Sequence, residues 1–209
     1  MDNETINFRY YNWGPLLYSC RVSDDRCAQV LDLCHKAKEL YTHELAGHLT
    51  KEYKLPALKV SDILRPYFRS YAQCGEETQL LRQLPFLEMK SAWVNFMEAG
   101  DFNPPHNHSD TLSFVFFLKV PDELKKEHKE FLGTSIGPGG IEFRIALAPA
   151  GSKGEGVYSI DNNQFFPKEG DLFIFPSHLE HWVYPFKSKV TRISVSGNLG
   201  KMPNQNVKK

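Results

Sequence analysis

The stretch Pro105-His-Asn-His-Ser-Asp-Thr-Leu-Ser-Phe-Val-Phe-Phe-Leu-Lys-Val120 sets a histidine-rich turn directly before a long apolar run. The run from Leu112 to Val120 predicts a buried β-strand, because it is short, unbroken and rich in aromatic and β-branched side chains. Side chains alternate between the two faces of a strand, so His106 and His108 share a face on an extended chain. Asp110 has the same parity but belongs to the turn. The histidine pair predicts a metal site at the end of a sheet.

A second polar cluster lies nearer the end of the chain. It consists of His181 and, eleven residues later, Arg192-Ile-Ser194. A third imidazole from a distant strand would complete one face of a metal's coordination sphere. Arg192 shares its strand face with Ser194, while Ile193 and Val195 make the strand half buried. A guanidinium in that setting is suited to hold a carboxylate, and Ser194 can donate its hydroxyl to the same group.

Two sets of metal ligands compete. His106, His108 and His181 would supply three nitrogens, whereas His108, Asp110 and His181 would form the two-histidine, one-carboxylate facial triad of non-haem iron enzymes. The second set matches a His-x-Asp pattern. We favour the first, because with Asp110 as a ligand only Thr111 would separate the site from the apolar strand. The remaining histidines are not expected to be ligands; they are His35, His43, His48 and His128 in charged helical contexts, and His178 in a turn.

Seven short strands are predicted after residue 91. They are Trp93 to Met97, Leu112 to Val120, Ile141 to Ala148, Val157 to Ile160, Asp171 to Phe175, His181 to Tyr184 and Val190 to Ser196. Turns rich in glycine, asparagine and proline separate them. This pattern predicts a jelly roll, or double-stranded β-helix, whose interior can hold a ligand.

Helical spacing dominates the earlier part of the chain. Residues from about Ser23 to Tyr53 predict one long helix, or two broken near Gly47, and residues from about Ile63 to Leu84 predict a second, with Pro66 tolerated only near its first turn. A short helix is expected from Leu124 to Phe131.

These elements predict an α+β chain, mainly β, in which N-terminal helices pack on one sheet of the jelly roll. We expect residues 1–90 to form a helical support, residues 91–199 the double-stranded β-helix core and residues 200–209 a loose tail, all within one integrated domain.

Amino-acid composition limits the kinds of partner and the compartment that we expect. The chain has 209 residues, 41% of them hydrophobic, and Lys plus Arg equals Asp plus Glu at 25 each, so no basic field indicates nucleic acid. Cys20, Cys27 and Cys34 recur every seven residues, roughly along one helical face, and with Cys74 they form no CxxC pair; we expect core thiols in a reducing cytosol. The first residues do not resemble a signal peptide, and no apolar run is long enough to span a bilayer. We therefore expect a soluble, cytoplasmic protein.

Several motifs together resemble a known enzyme superfamily. Phe173-Ile-Phe-Pro-Ser177, His181, Tyr184-Pro-Phe186 and Arg192-Ile-Ser-Val-Ser-Gly-Asn198 are similar to the end of the 2-oxoglutarate and Fe(II)-dependent oxygenase fold. Pro-His-x-His leading into a leucine-serine strand resembles, more narrowly, the oxygenases of marine phages and bacteria. The resemblance covers Trp93 to Asn198, and Glu44-Leu-Ala-Gly-His48 with Glu52-Tyr53 is similar to the same phage group. If a phage encodes the chain, the expected cytoplasm is that of the host. Most of the superfamily has an acidic residue where this chain has His108.

The resemblance implies Fe(II), 2-oxoglutarate as co-substrate, and dioxygen. It implies a hydroxylase that couples oxidation of a substrate C–H bond to decarboxylation of 2-oxoglutarate to succinate. Iron would be held by the histidine set above, and Arg192 with Ser194 would bind the far carboxylate of 2-oxoglutarate. Asn95 and Ser113 are further candidate contacts. The glycine-rich stretches 137–140 and 150–156 could be lids, although hairpin turns explain them more simply.

Two other functions share this pattern. A cupin-like metal-binding protein or isomerase is one, since Gly100 followed by His106-Asn-His108 imitates the start of a cupin motif, but the glutamate expected after it is missing. A noncatalytic jelly-roll module with a relic site is the other. Arg192-Ile-Ser194 favours the oxygenase, because an isomerase needs no clamp for a dicarboxylate. A small molecule and a protein side chain are both possible substrates, and fold analogy does not choose between them or define the oligomeric state.

Overall fold

The computed structural model describes residues 5–12, 15–77, 87–144 and 162–201. The strands are β1 (Phe8–Asn12), β2 (Leu16–Arg21), β3 (Glu52–Lys54), β4 (Leu87–Met97), β5 (Asn103–His106), β6 (Leu112–Lys119), β7 (Ile141–Arg144), β8 (Asn162–Phe165), β9 (Asp171–Pro176), β10 (Glu180–Val183) and β11 (Arg192–Lys201). The helices are α1 (Asp24–Lys36), α2 (Ala57–Glu77) and α3 (Asp122–Lys129), and a 3₁₀ turn covers Thr42–Glu44.

Two antiparallel sheets carry the fold. The major sheet has the strand order β1-β2-β9-β6-β11-β4-β3, and the minor sheet has the order β5-β10-β7-β8. Their facing sides share one apolar cluster, which includes Phe117 and Phe173 from the major sheet and Ile141 and Phe143 from the minor sheet. Two sheets closed over such a core form a jelly roll, so the predicted α+β, mainly β architecture is confirmed.

The opposite side of the major sheet holds the helices. Along β6, Phe114 and Phe116 belong to the helix-side cluster, whereas Val115 and Phe117 belong to the cluster between the sheets. A strand buried on both faces needs apolar residues at every position, which explains the unbroken run in the sequence. The predicted packing of N-terminal helices on one sheet is confirmed.

Helix α2 contacts the sheet along one stripe. Val60, Leu64, Tyr67, Tyr71 and Cys74 are all buried and recur at intervals of three or four residues, as a helix face requires. The Tyr71 hydroxyl donates to the carbonyl of Leu16 on β2, at 3.4 Å. This stripe fixes α2 across the outer face of the major sheet.

The prediction of helices first and strands afterwards is wrong. β1 and β2 precede α1, and β2 joins the major sheet by pairing Tyr18 with Ile174 of β9. The segment predicted as one or two long helices contains α1 and a 3₁₀ turn and then β3, because Glu52–Lys54 gains sheet hydrogen bonds from β4. Cys20 lies on β2 and so does not share a helix face with Cys27 and Cys34.

Pro66 lies inside α2, not in its first turn as predicted, because the helix begins at Ala57. A proline in a helix interior removes one backbone hydrogen bond and crowds the preceding turn. The Arg26 guanidinium of α1 donates to the carbonyl of Ile63, at 2.7 Å, within that turn. This contact ties α1 to α2 next to the carbonyl of Asp62, which is the one that Pro66 leaves without its helical donor.

Several predicted bounds shift. β4 begins at Leu87, and β11 continues to Lys201, so Gly200 and Lys201 belong to the sheet and not to a tail. β8 takes up Asn162 and Asn163, which were predicted as a turn. The short helix expected from Leu124 is confirmed as α3.

The predicted strand at 157–160, the candidate lid at 150–156 and the tail beyond residue 201 lie outside the described residues. No helix within the described ranges is both long and apolar enough to cross a bilayer.

Candidate active site

Three histidines meet at one end of the jelly roll. His106 ends β5 and pairs in register with His181 of β10, so the two imidazoles come from adjacent strands of the minor sheet. Their ring centroids are 4.3 Å apart, and the His108 ring lies 5.0 Å from His106 and 5.3 Å from His181. One potential metal-ligating atom from each of these residues lies within 4.8 Å of the others. The cluster has the convergence that a single metal ion requires.

Backbone contacts orient the rings. The Nδ1 of His106 lies 2.7 Å from the Pro104 carbonyl oxygen, and the Nδ1 of His181 lies 2.9 Å from the Leu179 carbonyl oxygen. A carbonyl oxygen only accepts, so each Nδ1 carries the proton and each Nε2 keeps its lone pair. The His108 backbone N–H donates to the Ser177 carbonyl, at 2.8 Å, which ties the residue after β5 to the turn between β9 and β10.

The environment keeps the three imidazoles neutral. Burial lowers the pKa of His106 below its ordinary value. Burial and the neighbouring His106 lower the pKa of His108 to about 4. The pKa of His181 is lowered well below its ordinary value by burial, then by His106 and His108. Neutral imidazole is the form that binds a metal.

Asp110 is not part of the cluster. Its carboxylate is half exposed and faces Gly200 of β11, where a Cβ would come within 2.9 Å of Oδ1. Of the two ligand sets that the sequence left open, the geometry brings together His106, His108 and His181. The other five histidines also lie apart from the cluster: His35, His43, His48 and His178 are exposed, and His128 stacks on Phe166.

Arg192 is buried beneath the cleft that the histidines line. It is 1% exposed. Its Nη1 donates to the Gly139 carbonyl at 2.9 Å, its Nη2 lies 2.8 Å from the Met97 sulfur, and Phe117 packs 5.2 Å from the guanidinium carbon. The buried Nε has no hydrogen-bond partner, and burial lowers the pKa of the group to about 9. In the part of the chain that the structure describes, no carboxylate forms an ion pair with this cation.

Ser194 and Asn95 continue the polar wall from Arg192. They are opposite each other on β11 and β4, and both are buried. The Asn95 amide nitrogen donates to the hydroxyls of Ser194, at 3.5 Å, and Ser196, at 3.4 Å. The side-chain oxygen of Asn95 is buried without a partner. The structure therefore places both predicted residues in the same cleft as the histidines.

Ser113 has a supporting position. Its hydroxyl donates to Asn198 Oδ1 at 2.7 Å and lies 2.8 Å from the hydroxyl of Ser177. Ser177 is fully buried and its carbonyl accepts from His108. The chain Asn198-Ser113-Ser177 thus holds the turn that anchors His108. Ser177 was visible in sequence only as part of a strand-end motif, with no sign of this contact.

The candidate lid at 137–140 is a fixed turn. Gly137 and Gly139 have positive φ values of 85° and 71°. The Gly139 carbonyl accepts from Arg192, and the Gly140 carbonyl accepts from the Tyr184 N–H at 2.9 Å. This stretch therefore holds the Arg192 guanidinium through the Gly139 carbonyl.

Glu52 and Trp93 are cleft residues that sequence reasoning did not select. Both side chains line the cleft together with the histidines and Arg192. Glu52 lies on β3, a strand of three residues whose sequence gave no strand pattern, so its position was not predictable without the pairing to β4.

Solved structures with a similar fold include three that are distant in sequence. A prolyl-4-hydroxylase from Pseudomonas putida is 13% identical, with 95% of each chain covered and a TM-score of 0.51. A viral collagen prolyl hydroxylase from Paramecium bursaria Chlorella virus-1 is 12% identical, with 92% of this chain and 94% of that chain covered and a TM-score of 0.53. The non-heme alpha-ketoglutarate-dependent epimerase SnoN from nogalamycin biosynthesis is 15% identical, with 91% of this chain and 82% of that chain covered and a TM-score of 0.54. No curated protein sequence matches the chain. These likenesses establish the fold.

The family is established by sequence. Residues 91–198 match the model of the family described as "Putative 2OG-Fe(II) oxygenase", and this segment is just over half of the chain. It contains the three clustered histidines, Arg192 and Ser194, and it ends at Asn198. The chain therefore belongs to this 2-oxoglutarate and Fe(II)-dependent oxygenase family, whose enzymes use Fe(II), 2-oxoglutarate and dioxygen.

Proposed function

We propose that this protein is a hydroxylase in which His106, His108 and His181 hold Fe(II), and Arg192 with Ser194 holds 2-oxoglutarate. One observation carries the proposal: three neutral imidazoles and a buried guanidinium without a carboxylate partner line the same cleft. A cupin-like isomerase has no use for the guanidinium.

The histidine cluster fits Fe(II). Each of His106 and His181 presents Nε2 to the cleft because its Nδ1 is held by a backbone carbonyl, the arrangement that fixes ligating histidines in metal sites. Imidazole is a suitable ligand for iron, and three ligands on one face leave positions for other groups. Phe175, whose ring lies 4.8 Å from that of His181, adds an apolar wall that limits the approach of water.

Arg192 fits a carboxylate of 2-oxoglutarate. A buried cation costs free energy unless an anion and hydrogen bonds compensate it, and here the Nε donor is unused. Ser194 shares the face of Arg192 and can donate its hydroxyl to the same carboxylate. Asn95 holds the Ser194 hydroxyl from the next strand, and Ser113 acts at a distance, through Ser177, on the backbone of His108.

Bound Fe(II), 2-oxoglutarate and dioxygen supply the oxidising power that converts a C–H bond to C–OH while 2-oxoglutarate loses carbon dioxide and becomes succinate. The protein's residues orient the two substrates: the polar side chains of the cleft hold 2-oxoglutarate, and Phe175 and Ile141 add apolar surface.

Succinate formation tests the proposal. Protein with Fe(II), 2-oxoglutarate and dioxygen should release succinate slowly without substrate, and faster with a substrate from a screen of amino acids, peptides and small metabolites. The product should gain one oxygen atom by mass. Arg192→Ala should require far more 2-oxoglutarate, by about tenfold or more, while binding Mn(II) normally. Absence of succinate under all conditions, or an unchanged 2-oxoglutarate requirement in Arg192→Ala, would contradict the assignment.

A further inference from the structure

Two buried oxygen acceptors on the cleft wall have no hydrogen-bond donor among the described residues. Glu52 is 1% exposed, and its Oε2 is buried without a partner. Asn95 is 4% exposed, and its Oδ1 is also buried without a partner. Its amide nitrogen is the atom that donates to serine hydroxyls. Buried polar atoms are almost always paired in folded proteins, so two unpaired acceptors in one ligand cleft indicate a missing donor.

The two acceptors are neighbours. Glu52 of β3 and Asn95 of β4 are directly opposite in the antiparallel register. Opposite residues of such a pair have Cβ atoms about 5 Å apart and point to the same face. One ligand group with several N–H donors can therefore reach both oxygens.

Among the residues that the structure describes, no positive charge compensates Glu52. Its only charged neighbour of note in the described part of the chain is Asp101, which together with burial raises the pKa of Glu52 to about 7. Lys51 points to the surface, where it pairs with Glu98 at 2.6 Å. Arg192 lies on β11, two strands from Glu52, and is paired with Met97, two residues beyond the partner of Glu52 on β4. This register places the Cα atoms of Arg192 and Glu52 about 12 Å apart.

An aromatic side chain joins this subsite to the histidines. Trp93 lies two residues from Asn95 on the same face of β4, lines the cleft, and has its ring 6.0 Å from that of His108. A carboxylate beside an indole ring is a setting that suits an organic cation. Gly47 packs closely on the other side of Glu52, where a Cβ would come within 3.0 Å of Oε1 and 2.4 Å of Asn103 Oδ1, so only a glycine fits beside this carboxylate.

We propose that Glu52 is a specificity-determining residue that, with Asn95 and Trp93, binds a protonated nitrogen of the substrate. The substrate is then a molecule with an ammonium or guanidinium group, such as a lysine- or arginine-type side chain, and its nearby C–H bonds lie beside the histidine cluster. This inference rests on the proposed function only in naming the bound cation as the oxygenase's substrate.

Matched pairs of small ligands test the charge preference. The probes are the N-acetyl amides of lysine and norleucine, and those of arginine and citrulline, because each pair differs mainly in charge. Binding is measured by calorimetry to the full chain loaded with Mn(II) and 2-oxoglutarate, so that no turnover occurs. We expect the charged member of at least one pair to bind about tenfold more tightly or better. The pair that shows the preference identifies the lysine or the arginine type.

Variants assign the preference to Glu52. Glu52→Gln should abolish it, and Glu52→Asp, which keeps the charge, should retain part of it. Glu39→Gln is the control, since Glu39 is an exposed carboxylate that pairs with Lys54 of the same strand region. Equal binding within both pairs, failure of both charged probes to bind, or an undiminished preference in Glu52→Gln would overturn the proposal.

A failure of the proposed function would look different. In that case 2-oxoglutarate would not bind and succinate would not form, while the charge preference of the metal-free protein would persist and still depend on Glu52.

Discussion

Substitutions of His106 and of Asp110 should have opposite effects on metal binding. His106 lies in the histidine cluster, whereas Asp110 faces Gly200. We expect His106→Ala to weaken Mn(II) binding by about 10- to 100-fold or more, because one of three ligands is lost, and Asp110→Ala to leave the binding constant nearly unchanged. Calorimetric titration of both variants measures the difference. Loss of binding in Asp110→Ala alone would establish the carboxylate triad instead.

The Glu52 carboxyl should make stability depend on pH. Burial and then Asp101 raise its pKa in the folded chain from the ordinary 4.5 to about 7, so the folded chain holds this proton more tightly than the unfolded chain. The free energy of unfolding should therefore fall as pH rises from about 4.5 to about 7, by about 3 kcal/mol from this group, and stay lower above that range. Urea unfolding at several pH values should show this slope in the native sequence, and Glu52→Gln should flatten it. A slope that survives in Glu52→Gln would assign it to another group.

Most residues of the site could be predicted from the sequence, because side chains two positions apart on a strand share a face. His106 and His108 could be paired by strand parity, and Arg192 could be placed with Ser194 by the same rule. Glu52 could not, because its importance arises from a partner on β4 and from the absence of any donor near it. Such properties belong to the assembled cleft and leave no local pattern.

At the scale of elements, β11 is the central constraint. It pairs with β4 on one side and β6 on the other, and at Gly197 both neighbours come close. A Cβ there would lie 2.5 Å from the Ser91 carbonyl and 2.6 Å from the Phe114 ring. We expect Gly197→Ala to destabilise the fold by about 1–3 kcal/mol through this overpacking, measured by chemical unfolding. The exposed position Lys201 on the same strand offers the control Lys201→Ala, which should change stability little. Equal effects would argue against a tight strand at Gly197.

An element could be predicted from the sequence when its own residues carry the hydrophobic pattern of a helix or a strand. Elements that depend on a distant partner strand could not. β6 could be predicted from its own apolar residues, whereas β3 consists of Glu-Tyr-Lys and becomes a strand only by pairing with β4. β2 reads as a strand only once its pairing with β9 is known. α2 was found from its stripe, but its start was misplaced because Pro66 was taken as a first-turn residue, whereas a contact from Arg26 supports the interior position.

At the scale of the whole molecule, the cleft joins the two sheets. The clustered histidines belong to β5, to β10 and to the turn after β5, while Arg192 belongs to the major sheet. A 2-oxoglutarate that contacts both metal and Arg192 would connect the sheets, so its binding should depend on the metal. We expect Mn(II) and 2-oxoglutarate together to raise the Tm by about 10–20 °C at concentrations near 100 times their dissociation constants, and 2-oxoglutarate alone to have little effect. Thermal unfolding of Arg192→Ala provides the contrast, because Mn(II) should still stabilise it. Independent, additive shifts would show that the two ligands do not share the cleft as proposed.

The pairing of His106 with His181 also sets when iron can be acquired. These residues are 75 positions apart in the sequence, and they meet only through the register of β5 on β10. During translation, His106 and His108 leave the ribosome well before His181 exists, and two imidazoles on an unpaired segment hold a metal weakly. The nascent chain therefore has no complete iron site, and metal loading is a late event that reports correct closure of the minor sheet.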